Sequence, residues 1–200
     1  MGNEPPESLR DRQRSFVRGE IFDAALRLFA ERGYDAVKTE DIAAAAGVSL
    51  TTYFRYTPSK EGLLLEPLRS GGRAIVARLQ QRPPSESAPV ALSRAILGRS
   101  TEFDDERLKL WRAGISSAPD LLERVSLITA DDRITLTKLV ADRMSVDVTD
   151  DSRPGLLVHV MLAAAEFAYS QWLSDADGDA TSWTERVEFA LTTVRTGRWK

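Results

Sequence analysis

Apolar residues recur along this chain at the three- and four-residue intervals of amphipathic helices, and the alternation typical of strands is not sustained anywhere. In the first such segment, Val17, Ile21, Ala25 and Leu28 fall on one stripe, and Gly33 follows where a left-handed helix end is favoured. The pattern predicts an all-α chain of about nine helices, near residues 9–32, 40–46, 50–56, 60–81, 87–100, 104–116, 119–144, 153–174 and 180–196.

Two of the predicted helices, at 40–46 and 50–56, are short and joined by a tight turn at Gly47. Thr39 and Ser49 carry hydroxyls at the two expected N-cap positions, and Pro58 disfavours helical geometry in the residue before it. A short helix, a glycine turn and a second short helix make up a helix-turn-helix, whose second helix enters the DNA major groove.

A proline-bounded stretch, RPPSESAP at residues 82–89, is the most linker-like part of the chain. It suggests a helix-turn-helix DNA-binding domain at 9–66, whose fourth helix continues to about residue 82, and a helical bundle at 83–200. Gly71 and Gly72 are unusual inside the fourth helix, and they indicate a flexible point, close packing by another segment, or an early end of the helix.

Composition narrows the chemistry. The chain has no cysteine and a single histidine, so disulfides and thiolate metal sites are excluded and no metal site is expected. It also lacks a glycine-rich phosphate loop and a paired Glu-x-x-His motif, so we expect neither a cofactor nor an enzyme. The start of the chain lacks the apolar run of a secretory signal, which favours a cytoplasmic protein.

One apolar segment, at residues 155–173, is about long enough to span a bilayer. It contains His159, Glu166 and Gln171, and its polar C-terminal continuation has no basic flank. We therefore interpret it as a helix buried in a bundle or a dimer and expect no membrane partner.

The net charge of −3 argues against indiscriminate binding to nucleic acid. Positive charge is nevertheless concentrated locally, since residues 48–60 contain Arg55 and Lys60 and no acid. An arginine-rich arm, at residues 10–18, precedes the first stripe and is either a DNA contact or a solvated face. This distribution favours site-specific contact with double-stranded DNA.

The first turn of the second short helix is the part that points into the groove in helix-turn-helix proteins. Its residues, Leu50, Thr51 and Thr52, offer hydroxyls and apolar groups for base edges and thymine methyl groups. Arg55 is long enough to reach guanine or phosphate, and Tyr56 and Lys60 are better placed for phosphate.

The segment RGEIFDAALRLFAERGYDAVKTEDIAAAAGVSLTTYFRYTPSKEGLL, residues 18–64, resembles the N-terminal domain of TetR-family transcriptional repressors. It shares their A-x-x-L-F-x-x-x-G-Y and T-x-x-x-I-A-x-x-A-G-V-S patterns, followed by an aromatic pair, R-Y and S-K-E. One departure is Thr57, where the family usually has a phenylalanine that packs the recognition helix onto its neighbours.

The resemblance implies phosphate contacts by Thr39, Tyr56 and Lys60. It implies base or groove contacts by Leu50, Thr51, Thr52, Tyr53 and Arg55, and it places Phe54 in the core. Structural roles stay open for several of them, because Thr39 also suits an N-cap, Tyr53 a packing role, Lys60 a solvated helix start and Arg55 an ion pair with Glu61.

For the second domain, the resemblance implies ligand binding and dimerisation. The predicted helix at 153–174 is apolar nearly all round, and the last helix repeats the signal, so a second copy is expected to cover these helices. The residues expected at the dimer interface are Leu157, Met161, Ala164, Ala168, Trp183, Val187, Leu191 and Val194. The residues expected to line a ligand pocket are Phe103, Trp111, Ile115, Leu122, Val125, His159 and Phe167.

The segment at 106–125 is similar to a TetR subgroup associated with acyl-CoA-like ligands, which suggests a hydrophobic effector. The expected function is therefore that of a homodimeric, ligand-responsive repressor, which binds a palindromic operator and is released by a small effector of unknown identity. A DNA-binding regulator without a small-molecule effector is the alternative.

Overall fold

The computed structural model describes residues 9–99, 105–123, 128–175 and 180–198 of the chain. Within these residues the structure is helical and has no strand, which confirms the all-α prediction. The ten helices of the described residues are α1 Leu9–Arg32, α2 Thr39–Ala45, α3 Leu50–Tyr56, α4 Lys60–Gln81, α5 Ala88–Arg99, α6 Asp105–Ser116, α7 Pro119–Glu123, α8 Ala130–Met144, α9 Arg153–Ser174 and α10 Ala180–Thr196.

The predicted long helix at 119–144 is wrong. The structure instead has a short helix α7, which ends at Glu123, and a separate helix α8, which begins at Ala130. Thr129 supplies the reason for the new start, because its hydroxyl accepts a hydrogen bond from the backbone N–H of Asp132 at 3.1 Å and so caps α8.

The chain divides into two compact units. The first unit contains Met1–Glu66 and Leu110–Arg124, and the second contains Pro67–Lys109 and Val125–Lys200. The division falls inside α4, between Glu66 and Pro67, and not at the proline-bounded stretch after it.

The core of the first unit joins α1 to the short helices. Its fully buried side chains include Ile21, Phe29, Ile42 and Leu64, and Ile115 of α6 is buried with them. The indole N–H of Trp111 donates a hydrogen bond to the carbonyl oxygen of Leu64 at 3.0 Å, which fixes α6 to α4 within this unit.

The core of the second unit is formed by α4, α5, α8, α9 and α10. Although α9 is long and apolar enough to cross a membrane, seven of its residues are buried, among them Val158, Met161 and Leu162 of this core. α9 therefore contributes one of its faces to this core.

Gly71 and Gly72 are both buried inside the second unit. A Cβ atom on Gly71 would lie 2.8 Å from Nε of Arg99, and one on Gly72 would overlap the carboxylate of Asp132. Close packing against Asp132 therefore accounts for Gly72, whereas Gly71 is close only to the flexible end of the Arg99 side chain.

Candidate nucleic-acid interface

Local hydrogen bonds set the position and length of α3. Gly47 has a φ of 64°, the left-handed conformation that the turn before the helix requires. Ser49 then caps α3, because its Oγ accepts a hydrogen bond from the N–H of Thr52 at 3.1 Å. At the other end, the N–H of Thr57 donates to the carbonyl oxygen of Tyr53 at 2.8 Å, and Pro58 follows. These features are the ones the sequence predicted.

Most of the residues predicted to contact DNA lie on the outside of α3. Leu50, Thr51 and Arg55 are exposed, and Thr52 and Tyr56 are half-buried. The guanidinium carbon of Arg55 lies 4.8 Å from the centre of the Tyr56 ring. This cation–π contact places the positive charge beside Tyr56 at the C-terminal end of α3. α3 contains no acidic residue that would repel phosphate.

Two neighbouring aromatic residues of α3 have the opposite placement from the one predicted. Tyr53, expected at the groove, is fully buried, and Phe54, expected in the core, is 50% exposed. The two rings pack edge to face, with centroids 5.3 Å apart. The prediction was wrong for both because residues adjacent on a helix point about 100° apart, and the packing of α3 onto α1 and α2 selects the face that holds Tyr53.

Burial also changes the chemistry of Tyr53. Among the described residues, none provides a hydrogen-bond partner for its buried hydroxyl. Burial, with a smaller effect of Tyr34, raises the pKa of Tyr53 to about 12. Since its hydroxyl is inside the unit, Tyr53 is a packing residue and not a candidate for contact with DNA. Thr57, one turn later, is also buried, so this side of α3 faces the core.

Lys60 has contacts within the protein that the sequence did not predict. Its Nζ donates hydrogen bonds to the carbonyl oxygens of Tyr34 at 2.8 Å and Val37 at 2.9 Å, and lies 4.0 Å from the centre of the Tyr34 ring. These contacts join the first residue of α4 to the turn between α1 and α2. The ammonium group is thus directed into the unit, in contrast to the phosphate contact that the resemblance implied.

Thr39 is the first residue of α2 and not its N-cap, which is Lys38. The N–H of Lys38 donates to Oδ2 of Asp41 at 2.9 Å, and the Thr39 hydroxyl donates to Oε2 of Glu40 at 3.1 Å. The carboxylates of Asp41 and Glu40 therefore accept from the Lys38 N–H and from the Thr39 hydroxyl, and the phosphate contact of Thr39 stays a prediction.

The predicted ligand-pocket residues have several different surroundings. Phe103 and Val125 lie outside the described residues, and so does the side chain of Leu122. Trp111 and Ile115 are buried in the core of the first unit. In the second unit, Phe167 is 63% exposed, and His159 is exposed with its Nδ1 2.7 Å from the carbonyl oxygen of Gly155. The prediction of an internal position is wrong for these last two, because they point away from the core face of α9.

The predicted dimer face needs a similar correction. Four of its residues are buried in the core of the second unit itself, namely Met161, Ala168, Val187 and Leu191. The other four are partly buried and pack against that core, namely Leu157, Ala164, Trp183 and Val194. These residues do form an apolar stripe along the helices. Helical spacing alone does not tell whether such a stripe faces the core of its own unit or a second copy of the chain.

An exposed groove on the same two helices shares Ala164, Ala168 and Val194 with the predicted dimer set. Phe167 of α9 and Phe189 of α10 flank an apolar groove of about 550 Å³, which we call the α9–α10 groove. Val160, Ala164 and Val194 line it between them, and Phe189 is 74% exposed. The sequence of this helix is apolar nearly all round, which is consistent with apolar residues such as Val160 and Phe167 outside its core face.

The first unit therefore has the features of a helix-turn-helix DNA-binding protein. A capped second helix presents hydroxyls, an arginine and apolar side chains to solvent, and its opposite face is fixed in the core.

Comparison with known proteins agrees with this class. Residues 21–66 match the sequence pattern of bacterial regulatory proteins of the tetR family, and residues 86–197 match that of the MftR C-terminal domain. The chain is 31% identical over 196 residues to the transcriptional regulator TcmR of Streptomyces glaucescens, which covers 94% of this chain and 86% of that protein. It is 33% identical over 203 residues, covering 96% of each chain, to MftR of Mycobacterium tuberculosis, named for the regulation of mycofactocin biosynthesis.

Solved structures share the fold. PfmR, a TetR-family regulator of Thermus thermophilus, superposes with a TM-score of 0.54 at 19% identity and covers 90% of this chain and 99% of that chain. The complex of SmeT with triclosan superposes with a TM-score of 0.59 at 15% identity and covers 91% of each chain. The chain belongs to the TetR family and is a DNA-binding transcriptional regulator and not an enzyme.

Proposed function

We propose that this chain is a homodimeric, cytoplasmic repressor, which binds a palindromic operator in double-stranded DNA and is released by a small hydrophobic effector. The observation that carries the proposal is the exposed surface of α3, where Leu50, Thr51 and Arg55 face solvent without an acidic neighbour on the helix. Membership of a family of transcriptional regulators supports the same role.

The α9–α10 groove supports the homodimer. A large exposed apolar patch is typical of a protein interface, and Phe167 and Phe189 would leave water if a second copy covered the groove. A twofold axis lets the same surface serve both copies, since each would place its phenylalanines against the other's groove. The dimer surface proposed here is thus the exposed face of α9 and α10, which shares Ala164, Ala168 and Val194 with the residues predicted from the sequence.

Two copies also suit the charge of the chain. α3 has one arginine, and the whole chain has a net charge of −3, so one copy offers few contacts for phosphate. Two recognition helices on a palindrome would double those contacts and would read half-sites about 34 Å apart, or a multiple of that distance.

The dimer is tested by Phe167→Glu, with sedimentation equilibrium as the measurement. A carboxylate in the groove should make the protein monomeric, because burying an unpaired charge is costly. Ile134→Glu is the matched control, since Ile134 is an exposed apolar residue of α8 that does not line this groove and should leave the dimer intact. A dimeric Phe167→Glu protein would place the interface elsewhere.

The operator is tested with a duplex selected by the protein from a random DNA library. We expect salt-dependent binding well above that of unselected DNA, and the monomeric Phe167→Glu protein should bind the same duplex at least tenfold more weakly. Failure to select any duplex would contradict the DNA-binding function.

The effector rests on the similarity of residues 106–125 to regulators associated with acyl-CoA-like ligands. An effector that couples to DNA binding by roughly 1–3 kcal/mol would lower operator affinity about 5- to 150-fold. A thermal-shift screen with acyl-CoAs of increasing chain length should find a compound that raises the melting temperature and releases the operator. Silence across the screen would favour a regulator without a small-molecule effector.

A further inference from the structure

Leu50 and Phe54 give α3 an exposed apolar edge. The two residues are four positions apart, so their side chains lie on the same face of the helix, one turn from each other. Their exposed fractions are 38% and 50%. This edge lies on the helix that the proposed function places in the major groove.

Phe54 packs against a buried aromatic neighbour. Its ring meets the ring of Tyr53 at 85°, with 5.3 Å between the centroids, and Tyr53 is fully buried. The buried tyrosine thus provides an aromatic contact on the inner side of the Phe54 ring, and the other side of that ring stays exposed.

An apolar edge in the major groove matches one chemical group there. Each base pair presents hydrogen-bond donors and acceptors, and the only apolar group at a base edge is the C5-methyl of thymine. Phenylalanine and leucine have no hydrogen-bonding group, so neither can read a donor or an acceptor. Thr51, exposed between them in sequence, remains available for polar base edges.

We propose that Leu50 and Phe54 together recognise thymine methyl groups within each operator half-site and determine specificity there. The proposal rests on the proposed DNA-binding function and adds to it the chemistry that the recognition helix reads. It assigns to Phe54 a role in recognition that the sequence had given to Tyr53.

Replacement of thymine by deoxyuridine tests the proposal, since it removes the methyl group and leaves every hydrogen bond of the base pair in place. The duplex selected by the protein is used for this test. In each substituted duplex, one thymine position of the half-site is replaced, together with its symmetry-related position in the other half-site. At one or two positions we expect the affinity to fall roughly three- to tenfold for each methyl group lost. Positions outside the contact should show no change.

The same pair of duplexes is then measured with Phe54→Ala and with Leu50→Ala. Each variant should bind the thymine duplex more weakly and should lose most of the preference for thymine over deoxyuridine at its own position. Tyr56→Phe is the matched control, because it should weaken binding to both duplexes equally and keep the preference. Both alanine positions are exposed, and circular dichroism checks that the helices are retained.

Two results would overturn the proposal while the proposed function stands. One is a selected operator whose affinity is unchanged by deoxyuridine at every position, which would assign the apolar edge to deoxyribose or to another protein. The other is an unchanged thymine preference in both alanine variants. Failure to select any duplex would instead contradict the proposed function and, with it, this inference.

Discussion

The ammonium group of Lys60 donates a hydrogen bond of 2.8 Å to the carbonyl oxygen of Tyr34 and lies 4.0 Å from the centre of the same residue's ring. A second hydrogen bond, of 2.9 Å, reaches the carbonyl oxygen of Val37. Lys60 thereby fixes the turn that leads into α2 and, through α2, the position of α3. We interpret Lys60 as a positioning residue of the DNA-binding unit.

Replacing Lys60 by methionine should lower the melting temperature of the free protein by several degrees, because two backbone carbonyls lose a charged donor. Operator affinity should fall as well, but the slope of log affinity against log salt should not change, since no phosphate contact is lost. A fluorescence titration at four or more salt concentrations measures that slope.

Arg55→Gln is the comparison for Lys60. Because Arg55 is exposed on α3, its loss should reduce the salt slope by roughly 0.9 for each phosphate contact removed and should leave the melting temperature nearly unchanged. If Lys60→Met reduces the slope by the same amount, Lys60 contacts phosphate and its position in the free protein changes on binding.

Tyr53→Phe should stabilise the protein. The buried hydroxyl of Tyr53 has no hydrogen-bond partner among the described residues, and an unsatisfied buried hydroxyl costs about 1–3 kcal/mol. Urea unfolding at pH 8 should therefore show a higher midpoint for the variant. A lower midpoint would mean that the hydroxyl has a partner, such as a buried water, which the phenylalanine leaves unpaired.

The same substitution should change the response to alkaline pH. Burial raises the pKa of Tyr53 to about 12 in the folded protein, whereas the unfolded chain has the ordinary value near 10. The contribution of the neutral phenol to stability is complete below pH 10 and is lost progressively as the pH rises from about 10 to 12, because only the unfolded chain ionises there. The stability difference between Tyr53→Phe and the parent should grow over this range.

Arg143→Gln should destabilise the second unit. The guanidinium of Arg143 on α8 donates to the carbonyl oxygens of Leu79 at 2.9 Å, Arg82 at 2.7 Å and Pro83 at 2.9 Å, at and just beyond the C-terminal end of α4. The carbonyls of Leu79 and Pro83 each also accept one backbone hydrogen bond of 3.2 Å, and the positive charge of Arg143 complements the negative end of the α4 dipole. A loss of about 2 kcal/mol is expected from urea unfolding.

Arg143→Lys separates charge from geometry at this site. Lysine keeps the positive charge but not the planar fork that spans three carbonyls, so an intermediate loss is expected. If lysine is as stable as arginine, the dipole accounts for the effect. If the glutamine variant is as stable as the parent, these hydrogen bonds contribute nothing measurable.

Local signals made the fold of the first unit predictable. Gly47 and Ser49 act on their own neighbours in the chain, and so does Ser59, whose Oγ accepts a hydrogen bond from the N–H of Gly62 at 3.1 Å at the start of α4. The residues that make such contacts are three or four positions apart, so a short sequence pattern is enough to predict them. The bounds of α1, α3 and α4 accordingly agree with the prediction.

The face that a helix turns inward was not predictable in the same way. Tyr53 and Phe54 are both aromatic, and which of the two is buried depends on how α3 packs on α1 and α2. The α9 helix has apolar residues on more than one face. Met161 and Ala168 are buried in the core, and Phe167 is exposed. Contacts between segments that are distant in the sequence determine which face of each helix is buried, and a local sequence pattern does not predict those contacts.

The alternation of buried and exposed residues along α3 has a consequence for how this regulator can evolve. Tyr53 and Thr57 hold the helix, and Phe54, one position away, faces outward, so the two tasks fall on different side chains. A mutation at an outward position can give the protein a new set of target genes without loss of the folded state. A single substitution at an outward position of α3 is then enough to change which operators the protein binds.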